Sequence, residues 1–151
     1  MCGIAGHYSH KSQFVSIEKA LKHFRHRGPD STAEYQVSNV KMGYNRLAIT
    51  NVASGQQPIF NTDKSIVVFY NGEIYNHQNL RKEIEKHSKF RLNQVDGAVI
   101  PYLYELYGET FAEKLDGMYA IALYDKKRNR LLLARDIVGE KPLYYWHDNT
   151  N

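Results

Sequence analysis

The run Met118-Tyr119-Ala120-Ile121-Ala122-Leu123-Tyr124, followed by Lys126-Lys127-Arg128-Asn129 and then Arg130 to Ala134, constrains this chain more than any other feature. Two such runs separated by the five polar residues Asp125 to Asn129 read as a hairpin, because a parallel return needs a crossover of a dozen residues or more. The other strand-like runs also adjoin one another instead of alternating with helices. Gly3 to Tyr8 reads as a short buried strand, 32–37 and 40–49 as a pair, Ser65 to Tyr70 as a strand broken by Asn71-Gly72, and Pro142 to Trp146 as a last strand. Helical periodicity is confined to three places. Ile17, Ala20, Leu21 and Phe24 follow the i, i+3, i+4, i+7 pattern up to the Arg27-Gly28-Pro29-Asp30 stop. Asn76 caps a helix running to about His87, and another covers roughly Val99 to Tyr107, ending at Gly108. The class that results is α+β with antiparallel sheets.

A length of 151 residues suits one domain with a real core, and 42% hydrophobic with 24% charged residues is ordinary globular composition. No apolar run approaches the ~20 residues of a membrane span. The N-terminus MCGIAGHYSHKSQ lacks the basic and apolar regions of a secretory signal, so the expected location is cytoplasmic, with no membrane partner. The net charge of +4 is mild, and Lys126-Lys127-Arg128 reads as a turn, so no nucleic-acid partner is expected. The seven histidines are dispersed and there is one cysteine, so no disulfide, cysteine-based metal cage or other metal site is expected.

That one cysteine stands at position 2. Cysteine is small, so removal of Met1 is expected, leaving Cys2 with a free α-amine. An α-amine has a reference pKa of about 7.7–8.0 and a thiol about 8.5, so one residue then carries a nucleophile and a general base matched near neutral pH. A thiol attacking an amide needs donors for the developing oxyanion. Asn71-Gly72 offers a side-chain NH2 and a backbone N–H beside a residue without Cβ, although Asn-Gly is also a common turn. Arg46 can fork onto an α-carboxylate, and Asp96 or Glu73 can accept an α-ammonium.

The order of motifs adds a resemblance. Met1-Cys2-Gly3-Ile4-Ala5-Gly6, His26-Arg27-Gly28-Pro29-Asp30, Arg46-Leu47-Ala48-Ile49, Gln57-Pro58 and Asn71-Gly72-Glu73-Ile74-Tyr75-Asn76-His77 occur in turn. Val95-Asp96-Gly97, Leu115-Asp116-Gly117-Met118-Tyr119-Ala120 and Arg135-Asp136 through Gly139 to Lys141-Pro142-Leu143-Tyr144 follow. Over nearly its whole length the chain resembles the glutaminase domain of glutamine-dependent asparagine synthetases, which are class II, N-terminal-nucleophile glutamine amidotransferases.

The resemblance implies a four-layer αββα sandwich of the N-terminal nucleophile hydrolase type. It implies Cys2 as nucleophile with its own α-amine as base, and Asn71 with the Gly72 N–H as oxyanion hole. Arg46 would hold the carboxylate of L-glutamine, Glu73 and Asp96 its ammonium, and the backbone of Leu47, Ala48, Ile49 and Thr50 would line the pocket. The implied reaction forms a thioester at Cys2, releases ammonia and hydrolyses to glutamate, with no cofactor. ATP and Mg belong to a synthetase domain, the ammonia acceptor, whose Ser-Gly-Gly-x-Asp-Ser type loop does not occur here. Residues 1–151 are therefore expected to be a single glutaminase domain, incomplete at its C-terminal side and without its last strands.

Two positions depart from the pattern. Ala98 stands where similar proteins usually carry a glutamate, and Pro101, lacking an N–H, is expected to delay or kink the helix after Asp96. These departures leave a second reading open, a catalytically weak glutamine-binding or regulatory relative.

Overall fold

The computed structural model describes residues 2–10, 14–47, 56–87, 92 and 94–148. Among the described residues seven strands and three α-helices follow in order: β1 (Gly3–Tyr8), α1 (Ile17–His23), β2 (Ser31–Val37), β3 (Val40–Arg46), β4 (Ile59–Phe60), β5 (Ile66–Ile74), α2 (His77–His87), α3 (Ile100–Tyr107), β6 (Gly117–Asp125) and β7 (Arg130–Arg135). The strands form two antiparallel sheets, one ordered β1-β3-β2 and the other β4-β5-β6-β7. Helix α1 covers the outer face of the first sheet. Gly43 lets it lie close, since a Cβ there would stand 2.7 Å from Leu21 Cδ1, and Asn45 Nδ2 donates to the Leu21 carbonyl at 2.7 Å. Helices α2 and α3 cover the outer face of the second sheet. The layering is the αββα sandwich expected.

Period-two alternation decides which residue enters which core. On β5, Ile66, Val68, Tyr70 and Ile74 pack toward the helices, while Val67 and Phe69 pack toward the other sheet. On β3, Val40, Met42 and Tyr44 meet Val67, Phe69 and Tyr124 between the sheets. Both faces of β5 are covered, so an antiparallel strand reads as a continuous apolar run.

Several expectations are corrected. Asn71-Gly72 does not break its strand: β5 continues to Ile74, paired with β6 through Gly72↔Tyr119 and Ile74↔Gly117. The glycine is there for close approach, because a Cβ on Gly72 would sit 1.9 Å from the Met118 carbonyl oxygen. The Asn76 side chain does not cap α2. Its Nδ2 donates to the Lys114 carbonyl at 2.9 Å and its Oδ1 accepts the Asp116 N–H at 3.1 Å, tying α2 to the segment before β6. Helix α1 ends at His23, before Gly28, and Gly28 instead permits contact with β3, its Cβ direction meeting the Asn45 carbonyl oxygen at 2.4 Å. Strand β3 ends at Arg46, and the continuation expected to residue 49 runs outside the described residues at Ala48. Strand β1 is an edge strand and mostly half-buried. Pro142 to Trp146 forms no ladder, and Tyr144, Tyr145 and Trp146 are at least 80% exposed. Apolar content supplies a strand's pattern, but a strand also needs a partner edge, and among the described residues none pairs with this segment.

Beyond β7 the chain is held by a buried carboxylate. Asp136 Oδ1 accepts the Glu140 N–H at 2.8 Å, and Oδ2 accepts those of Lys141 at 3.0 Å and Tyr119 at 3.2 Å. Burial works to raise the Asp136 carboxyl, and the backbone donors outweigh it, holding it below the usual carboxylate range. A depressed folded value stabilises the protein above the unfolded value of about 3.9, and that contribution disappears as pH falls through the folded value. Asp136→Asn is therefore expected to cost about 1.5–3 kcal/mol at pH 7, with the gap to the parent narrowing well below pH 4. Urea unfolding at pH 7 and pH 3 checks this; an equal gap at both would refute the assignment.

Candidate active site

The site is built at one end of the inter-sheet space. The register Gly3↔Asn45, carried one residue further, sets Cys2 opposite Arg46. Arg46 shares the face of β3 that carries Met42 and Tyr44 toward the second sheet, and it is 9% exposed. The Tyr44 ring lies 5.8 Å from that of Phe69, and one alternation further along β5 the same face carries Asn71. Cys2 is half-buried. Cys2 and Arg46 are thus opposite each other where β1 starts and β3 ends, and Asn71 follows Phe69 on the β5 face that meets Tyr44.

Asn71 is buried, yet among the described residues its Oδ1 has no hydrogen-bond partner. Burying a carboxamide oxygen without a partner is costly, so a side chain left this way is available to something other than the fold. Its terminal torsion is broad, which lets the NH2 or the oxygen be presented.

The Gly72 N–H faces the edge of β5 away from β6. Strand β4 is two residues long and pairs only with Val67 and Val68. Past it, Gln57 substitutes for a strand: its Oε1 accepts the Tyr70 N–H and its Nε2 donates to the Tyr70 carbonyl, both at 2.7 Å. Two alternations on, Asp96 Oδ2 accepts the Ile74 N–H at 2.8 Å. Alternation turns the Gly72 N–H toward this same edge, in the gap between the two side-chain plugs. The Asn71 side chain and the Gly72 N–H are consecutive groups along β5.

Asp96 opens a 3-10 turn, Asp96–Val99, that leads directly into α3. Pro101 falls in the first turn of α3, where its missing N–H is harmless, and the α-helix begins at Ile100 after the 3-10 turn. Ala98 is 4% exposed and packs in the apolar core between β5 and the helices. The chain before Asp96 is anchored by the buried Arg81, whose Nη1 donates to the Leu92 carbonyl at 2.8 Å and Nη2 to that of Val95 at 3.5 Å. Asp96 Oδ1 accepts the Tyr70 hydroxyl at 2.5 Å. Burial, and then the Asp96 carboxylate, push the Tyr70 phenol far above its usual range, so it remains a donor.

The remaining expected residues are less gathered. Glu73 continues the Phe69–Asn71 face of β5 but is exposed, and Leu47 is 37% exposed just past β3. Ala48, Ile49 and Thr50 lie outside the described residues. Among the described residues no cluster of three His, Cys, Asp or Glu side chains is able to hold a metal, and no helix is long and apolar enough to cross a membrane. Sequence reasoning missed Tyr70 and assigned no role to Gln57. Tyr70 looks like one more apolar strand residue, and the only signal at Gln57 is its place in the Gln57-Pro58 motif.

An αββα sandwich with a thiol at the head of an edge strand has the architecture of the N-terminal nucleophile hydrolases. A solved structure of glutamine phosphoribosylpyrophosphate amidotransferase from B. subtilis shares it, with a TM-score of 0.52 at 18% identity over 66% of this chain and 23% of that one. The glutamine amidotransferase domain model matches residues 1–151, and the chain belongs to that family. It is 42% identical over 148 residues to the nodule glutamine-hydrolysing asparagine synthetase of Pisum sativum and 43% identical over 148 residues to asparagine synthetase 1 of Arabidopsis thaliana. Each alignment covers 95% of this chain and 25% of the relative, so the chain spans about a quarter of their length.

Proposed function

We propose that this domain hydrolyses L-glutamine to glutamate and ammonia through a Cys2 thioester, supplying ammonia to an asparagine-synthetase-like amidation. The observation that supports the reading is a buried carboxamide on β5 whose oxygen, among the described residues, has no partner, followed directly by an N–H turned to the strand edge beyond β4, in a chain with a half-buried thiol at the head of β1. In this reading Cys2, freed of Met1, attacks the glutamine carboxamide carbon while its α-amine takes the thiol proton and returns one to the departing ammonia. The Asn71 NH2 and the Gly72 N–H hold the oxyanion. Arg46 holds the substrate carboxylate, Asp96 and Glu73 hold its ammonium, and the backbone of residues 47–50 lines the pocket. The glutaminase step uses no cofactor. ATP and Mg would serve a synthetase domain or subunit that accepts the ammonia, and the compartment would be the cytoplasm.

The test is release of glutamate and ammonia in equal amounts from L-glutamine, with intact mass showing a chain that begins at Cys2. A glutamine-like diazo-ketone should add one equivalent at Cys2. A folded protein that neither turns over glutamine nor takes the label would sink the reading. Arg46→Ala and Asp96→Ala remove contacts made equally to substrate and transition state, so each should raise KM at least about tenfold with kcat largely kept. An Asp96→Ala protein kinetically identical to the parent would leave Glu73 as the ammonium partner.

A further inference from the structure

We propose that Tyr70 is a positioning residue for the amino-group subsite, holding Asp96 in the orientation that selects an α-amino substrate. The proposal rests on the reading of Asp96 as the ammonium partner. A free aspartate rotates broadly about its last torsion, and its carboxylate needs a fixed plane to discriminate. Here the plane is set by two donors, the Tyr70 hydroxyl on Oδ1 at 2.5 Å and the Ile74 N–H on Oδ2 at 2.8 Å. Each oxygen keeps acceptor capacity for a ligand.

Three features show that the contact is built. Tyr70 is 7% exposed, so its hydroxyl takes its partner from the protein. Gln57 brackets its backbone on both sides, fixing where the ring departs from β5. Gly97, next to Asp96, makes room for the ring, since a Cβ there would stand 2.3 Å from Tyr70 Cε1 and 2.7 Å from Cζ. Ala98 offers no polar side chain, its methyl lying in the apolar core, and among the described residues the tyrosine is the side-chain donor on Asp96. The Ile74 N–H alone would leave Oδ1 unguided.

Tyr70→Phe is isosteric and removes only the hydroxyl. It is expected to raise KM for L-glutamine about tenfold, the size of one hydrogen bond to a charged acceptor, with kcat within about twofold. With 4-carbamoylbutanoate, which is glutamine without its amino group, the same substitution should leave KM unchanged. In an Asp96→Ala background it should add nothing, since a residue acting through Asp96 is silent once Asp96 is gone. Near-ultraviolet circular dichroism confirms that the variants are folded, and calorimetric Kd values for both compounds in a Cys2→Ala background give the comparison independently of turnover. Unchanged glutamine KM in Tyr70→Phe, beside a raised one in Asp96→Ala, overturns the Tyr70 assignment and leaves Asp96 standing. Equal rises for glutamine and its deamino analogue also overturn it, marking a general disturbance of the pocket. An Asp96→Ala protein with an unaltered KM removes both.

Discussion

Cys2→Ala is expected to abolish glutamine hydrolysis, by at least about 10⁴-fold, while leaving the melting temperature within a few degrees of the parent. The size follows from covalent catalysis: removing a nucleophile removes the pathway, and what remains is binding and oxyanion stabilisation alone. The small effect on stability follows from position. Cys2 is half-buried and precedes β1, whose ladder to β3 begins at Gly3, so no ladder pair is lost. Cys2→Ser should be nearly as inactive, because a hydroxyl is far from deprotonation at the pH where an α-amine is a useful base. Glutamate release followed alongside thermal melting checks both. Turnover in Cys2→Ala comparable to that of the parent would remove the thiol from the mechanism.

Asn71→Ala is the second large effect and separates chemistry from binding. The carboxamide is proposed to meet an oxygen that becomes negative only as the tetrahedral species forms, so kcat should fall about 10²–10³-fold, or ~2.7–4 kcal/mol, with little change in KM. Its unpartnered Oδ1 means that little internal hydrogen bonding is lost, which keeps the comparison clean. Gly72 does not admit a matching test, because any Cβ there collides with the Met118 carbonyl and disturbs the β5–β6 ladder itself. Steady-state kinetics of Asn71→Ala decide the matter; a raised KM with unchanged kcat would make Asn71 a substrate-binding group instead.

Ala98 and Pro101 were the sequence features that spoke for a weakened relative. In the folded chain Pro101 occupies the helical position that tolerates it, and Ala98 fills apolar space. Asp96 stays fixed on β5 by two hydrogen bonds. A departure from a sequence pattern weakens a site only if the atoms that hold the site depend on it, and here Tyr70 and the Ile74 backbone hold Asp96.

The chain's linear pattern by itself determined the antiparallel class, the β6–β7 hairpin about Lys126–Asn129 and the Gly108 helix end, and it is the source of the proposal of Cys2 as nucleophile. These are local matters: period-two apolar runs, turn chemistry and a single cysteine at one position are all written within a few residues. Tertiary structure alone decided that Asn71-Gly72 lies within a strand, that the Asn76 side chain bridges to Asp116 instead of capping α2, and that Pro142 to Trp146 pairs with no strand among the described residues. It also decided the parts of the site made by neighbours distant in sequence. The gap at the Gly72 N–H exists because β4 stops after two residues and Gln57 and Asp96 close the edge on either side. The aim of Asp96 depends on a tyrosine 26 residues earlier. Sequence spacing carries the chemistry of each group, but an edge, a gap or a hydrogen bond between distant segments exists only once the backbone has brought them together.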